Sequence, residues 1–140
     1  MHSMQLKRVP AVLALGMVLA LSACGDKETT SVDTQALAGT YVATQFLATT
    51  GGTTTNILTS GGSATLVLNS DGTTSGRLFV PGLADATLNG TWSMANSTDL
   101  DLNSTTDTFF RDMLFSVVGN TLVGDQTFNG TRIQIVLTKQ

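Results

Sequence analysis

Cys24 is the only thiol in this 140-residue chain, and it stands directly after the small pair Ser22-Ala23. Few other side chains offer chemistry. The single histidine, His2, lies ahead of Lys7, Arg8 and the apolar run Val9 to Leu21. Downstream of Cys24 the arginines are Arg77, Arg111 and Arg132. Asp99, Asp101 and Asn103, with Asp107 nearby, make the densest group of oxygen ligands. A Ser or Thr nucleophile needs an activating base, and none is evident beyond residue 23. Soft metal sites need Cys or His ligands, which are equally wanting. These residues predict a protein that is not an enzyme and carries no cofactor.

A basic start, an apolar centre and small residues before a cut are the layout of a secretion signal. Two other readings of the segment compete. A spanning helix takes about 20 apolar residues; Val9 to Ala23 is shorter and contains Pro10. An ordinary cut after Ala23 leaves a free thiol at the new terminus. With Cys24 following Leu21-Ser22-Ala23, the segment resembles a lipobox, the mark of bacterial lipoproteins. The resemblance implies diacylglyceration of the Cys24 thiol, cleavage before it and, usually, acylation of the new amino group. Two lipid chains suffice for stable anchoring, at about 0.8 kcal/mol per buried methylene. In that family Asp directly after the Cys favours inner-membrane retention. Gly25 holds that place here and Asp26 follows. In a Gram-negative cell the resemblance thus implies a lipid-anchored protein of the outer membrane, facing the periplasm or the cell surface.

Removing residues 1–23 leaves 117, enough for one domain and too few for two. The remainder holds ten acidic and five basic residues, a charge of −5, with no basic cluster. That argues against nucleic acid as a partner. Without a second Cys there is no intramolecular disulfide. Gly25 to Gln35 is polar and aperiodic, so 24–36 reads as a lipidated terminus and flexible tether; its eleven-residue coil spans roughly 17–20 Å.

From Leu37 to Gln140 the pattern is strand after strand. Leu88, Trp92 and Met94 share one face of Ala86 to Met94, and Thr98 to Asn103 alternates as cleanly. Ile133, Ile135 and Leu137 form a third set; Met113, Phe115 and Val117 form a fourth. A period of two marks half-buried strands. Weaker strands are predicted at Tyr41 to Ala48, Thr54 to Leu58, Ala64 to Asn69, Thr74 to Val80 and Thr121 to Phe128. Gly51-Gly52, Gly61-Gly62, Asp71-Gly72, Pro81-Gly82, Gly119-Asn120 and Asn129-Gly130 separate them, and the Asn-Gly and Asp-Gly pairs suit tight hairpins. No stretch shows ten residues of helical periodicity. The prediction is an all-β, antiparallel up-and-down barrel of about eight strands, with Arg132 to Lys139 closing on Tyr41 to Ala48.

Leu37-Ala38-Gly39-Thr40-Tyr41, Leu88-Asn89-Gly90-Thr91-Trp92 and Phe128-Asn129-Gly130-Thr131-Arg132 repeat one phrase. With Asn69-Ser70-Asp71-Gly72-Thr73 between them, the region resembles bacterial lipocalin-like lipoprotein domains over nearly its whole length. The opening phrase carries Tyr41 where a true lipocalin has Trp, and the lipocalins' C-terminal helix, disulfide and longer loops are missing. The resemblance implies a ligand cavity lined by aromatics, here Tyr41 and Trp92.

Both aromatics also read as core by alternation alone, each burying about 150–250 Å². An eight-stranded barrel has about 24–32 inward positions, and around twenty large apolar side chains are on hand to fill them, so any cavity is expected to be modest. Arg111 shares strand parity with Phe109, Met113 and Phe115 and is expected to point inward. There it would cap one barrel end on carbonyls or a carboxylate, or grip an anionic ligand as a fork. Asp99, Asp101 and Asn103 have neither the Gly turn nor the bidentate Glu of a calcium loop, and read as a solvated outer face. That polar exterior also argues against a membrane-spanning barrel, whose outer band is apolar.

Two functions are open. In one, an anchored barrel binds a small apolar or amphipathic molecule. In the other, a filled barrel is a scaffold for protein contacts, as an inhibitor, adhesin or assembly accessory.

Overall fold

The computed structural model describes residues 33–106 and 108–140. The signal segment, Cys24, the tether as far as Val32, and Asp107 lie outside them. One helical turn, α1 (Thr34–Leu37), precedes ten strands: β1 (Gly39–Thr50), β2 (Thr53–Asn56), β3 (Ser63–Leu68), β4 (Thr73–Phe79), β5 (Ala86–Thr87), β6 (Gly90–Met94), β7 (Asp99–Ser104), β8 (Leu114–Val118), β9 (Thr121–Phe128) and β10 (Thr131–Lys139).

Every pairing is antiparallel, and the order β1-β3-β4-β6-β7-β8-β9-β10 returns to β1, closing an eight-stranded barrel. β2 and β5 are the two strands beyond the eight. β2 pairs only with β1, through a tight hairpin at Gly51-Gly52. β5 and β6 keep a single register against β4, with Thr87 opposite Arg77 and Thr91 opposite Thr73. The Leu88 amide bridges them by donating to Gly76 O at 3.0 Å. They are therefore the one alternating strand, Ala86 to Met94, that the sequence predicts. The predicted closure also forms, with Tyr41 opposite Lys139 and Thr50 opposite Thr131.

β1 shows why its alternation is hard to see. Tyr41 and Ala43 are buried, and so is Phe46, which breaks the period of two. The register against β10 shifts between Ala43 and Gln45, so Thr44 is an inserted residue. A bulge moves the following side chains to the opposite parity. Both halves of the strand thus face the core.

Nineteen apolar side chains among the described residues are buried inside the cylinder. Tyr41, Phe46, Leu66, Leu100, Phe110, Phe115, Leu122, Ile135 and Leu137 are at most 1 % exposed. Packing is close enough to dictate a glycine. A Cβ on Gly124 would collide with Met113 Sδ and come within 3.0 Å of the Phe115 ring and 3.2 Å of Ile135. At Gly76, φ is +139° and the Thr65 carbonyl sits where a Cβ would be, which only glycine accommodates. Among the described residues the interior of this barrel is closely packed.

The start of the domain differs from the sequence reading. Asp33 caps α1 by accepting the Gln35 amide at 3.0 Å, and Leu37 is buried. Thr34, Gln35 and Ala36 belong to this helix although they read as tether. Four residues are too few to display helical periodicity.

Candidate functional site

The two ends of the cylinder are built differently. The end where β1 begins carries α1 and the turns after β3, β6 and β8. The buried Tyr41 hydroxyl donates to Leu37 O at 2.7 Å, and Lys139 Nζ donates to Ala36 O at 2.7 Å. Trp92 Nε1 donates to Asn69 O at 2.9 Å. Burial pushes the Tyr41 phenol above its ordinary pKa. Tyr41 and Trp92 are thus core residues whose polar atoms are engaged within the fold. Trp92 also walls a shallow, polar-rimmed recess of about 310 Å³ with Thr34, Asp71 and Ser93.

The opposite end, where β1 finishes, is the mouth. The segment between β7 and β8 folds inward there and packs phenylalanines across the opening. The Phe109 ring lies 5.7 Å from Phe46, 4.9 Å from Phe110 and 6.3 Å from Phe128. Phe110 lies 5.3 Å from Phe115 and is fully buried. Offset and tilted aromatic pairs at these distances are favourable beyond their area.

Beside this plug runs a cleft of about 420 Å³. Leu78, Val80 and Ala86 line it together with Leu83, Ala84 and Asp85 of the turn between β4 and β5. Thr106, Thr108 and Phe109 complete the lining. Leu83 is 68 % exposed and lines this cleft. Thr108 Oγ1 is shielded from water and has no hydrogen-bond partner. Asp85 is paired with Arg77 at the rim.

Arg111 corrects a sequence expectation. Residues 109–112 form a turn, so strand parity does not apply there. Phe110 takes the inward position, while the Arg111 side chain is 39 % exposed with Nε 3.5 Å from Asp112 Oδ1. Arg111 therefore does not point into the core. Each of the three arginines instead meets a neighbouring carboxylate: Arg77 with Asp85, Arg111 with Asp112, and Arg132 with Asp125 through a two-pronged contact of 2.8 and 2.7 Å. That contact holds Asp125 below the usual carboxylate range and raises Arg132. Asp101 and Asn103 stand exposed on β7. Asp99 accepts from Asn96 Nδ2 at 2.9 Å and from Ser116 Oγ at 3.0 Å, which lowers its pKa.

The three residues singled out for ligand contact, Tyr41, Trp92 and Arg111, are not gathered at the cleft. Sequence reasoning missed Leu83, Thr108 and the covering role of Phe109. One signal was available: Leu83 directly follows Pro81-Gly82, an apolar residue in a turn that polar side chains would satisfy. No family model, characterised protein or solved structure matches this chain.

Proposed function

We propose that this protein is a lipid-anchored component of a bacterial cell envelope whose barrel binds a small apolar or amphipathic molecule. Binding takes place at the mouth, between the turn that carries Leu83 and the segment that carries Phe109. The observation behind this reading is the cleft of about 420 Å³, apolar-walled and open at one end of an otherwise filled cylinder. Ligand sites usually exceed about 300 Å³ and combine apolar walls with a few polar groups. Diacylglyceration of Cys24 would supply the anchor, a role resting on the lipobox-like Leu21-Ser22-Ala23-Cys24. The domain acts by binding rather than by catalysis, a reading supported by the lack of an activated nucleophile among the described residues.

Native mass spectrometry of the protein purified from its host's membranes tests the binding role. A small molecule should accompany the wild type and be lost from Leu83→Asp, which places a charge over the cleft. Empty protein in both forms would refute it. Metabolic palmitate labelling tests the anchor: label should enter the wild type and be absent from Cys24→Ala. The filled interior favours a second reading, a scaffold acting through protein contacts, and an empty native spectrum would leave that one standing.

A further inference from the structure

We infer that the cleft at the mouth selects uncharged ligands, compact apolar molecules bearing one hydroxyl or carbonyl that pairs with Thr108. This rests on the proposed binding role of the same cleft and adds the ligand's chemical class.

The first support is electrostatic. Among the described residues Asp85 is the only ionisable side chain lining the cleft, and it already meets Arg77 at the rim. An ionised carboxylate or phosphate entering here would lose hydration and could meet a cation only by displacing Asp85 from Arg77, and unpaired charges are costly in such sites. An ammonium would have to displace Arg77 from Asp85. A neutral molecule faces neither cost.

The second support is the Thr108 hydroxyl. A buried hydroxyl without a partner is uncommon, because it forgoes its hydrogen bonds to water and gains none in return. Thr108 lines the cleft, yet its oxygen is turned into the wall. Rotation about its Cα–Cβ bond moves the oxygen to another staggered position. Turned toward the cleft, it both donates and accepts, matching a ligand hydroxyl or carbonyl. Leu78, Val80, Leu83 and Phe109 then cover the apolar body.

Octan-1-ol, octanoate and octylammonium test the class, added at matched free concentration to the full chain in lipid nanodiscs. Binding is read from the methyl resonances of Leu83 and Ala84. Octan-1-ol should bind at least tenfold more tightly than either ion. Thr108→Val should weaken octan-1-ol about fivefold, and Thr108→Ser, which keeps the hydroxyl, should restore it to within twofold. Without ligand, Thr108→Val should melt a few degrees higher, because it removes an unsatisfied buried oxygen.

Equal or tighter binding of either ion overturns the uncharged class while leaving the cleft as a binding site. Unchanged octan-1-ol affinity in Thr108→Val, or a lower melting temperature, overturns the role of the hydroxyl. If no probe moves the two methyl signals, the binding role itself fails.

Discussion

The two ends of this barrel contain similar kinds of residue and use them oppositely. At the α1 end, a tyrosine, a tryptophan and a lysine each donate a hydrogen bond to a backbone carbonyl, so the cap is polar-satisfied as well as apolar. At the mouth, phenylalanines pack without polar ties and a threonine hydroxyl is left unpaired. Buried polar groups cost free energy unless bonded. The α1 end is accordingly built to stay shut. The mouth leaves a hydroxyl unbonded.

The largest test of this contrast is a pair of aromatic deletions. Trp92→Ala should cost about 3–5 kcal/mol, the range for emptying a buried large aromatic. Phe109→Ala, at a half-buried plug position, should cost about 1 kcal/mol. Urea unfolding of both variants gives the comparison, and equal losses would break it. Tyr41→Phe comes next. It removes the donor from Leu37 O while keeping the ring, and should cost about 1–3 kcal/mol by the same unfolding measurement.

The effect of pH is milder and follows from the charged groups. Hydrogen bonds from Thr73, Asn96 and Ser116 and the Arg132 contact hold Asp71, Asp99 and Asp125 below the ordinary carboxylate pKa. A lowered folded-state pKa contributes stability that is present above the unfolded value, about 3.9 for Asp, and is lost as pH falls through the folded one. Tyr41 is raised instead, so its contribution is complete below about pH 10 and is lost as pH climbs through the folded value. Beyond residue 23 there is no histidine. Melting temperature against pH should therefore be level from about pH 5 to 9 and decline on both sides. A step near pH 6.5 would contradict that account. The smallest stability effect belongs to Leu83→Ser. It should stay within about 0.5 kcal/mol of wild type, as exposed substitutions do, while abolishing binding of octan-1-ol.

Much of the fold was legible because half-buried strands declare themselves by alternation. Leu88, Trp92 and Met94 did so, as did Ile133, Ile135 and Leu137, and Asn129-Gly130 marked its hairpin correctly, with Asn129 at φ +49°. The bulge at Thr44 was not legible, since an inserted residue is defined by the partner strand and not by its own. Arg111 was misplaced because Phe109, Met113 and Phe115 mimic a strand period across what is a turn. The cleft was invisible for a related reason. Its walls come from two segments some twenty residues apart in sequence, brought side by side by the pairing of β6 with β7 and the Thr87–Thr106 hydrogen bond.

Lys139 is tied to Ala36, and the Gln140 amide donates to Thr40 O at 2.9 Å, so Gln140 and Asp33 lie at the same end of the cylinder. A fluorophore, fusion partner or solid support joined near either residue is thereby kept at the far pole from Leu83. Joining the two by a short linker and reopening the chain at Gly51-Gly52 would yield a circular permutant with every barrel pairing intact, a rearrangement best tolerated at exposed turns.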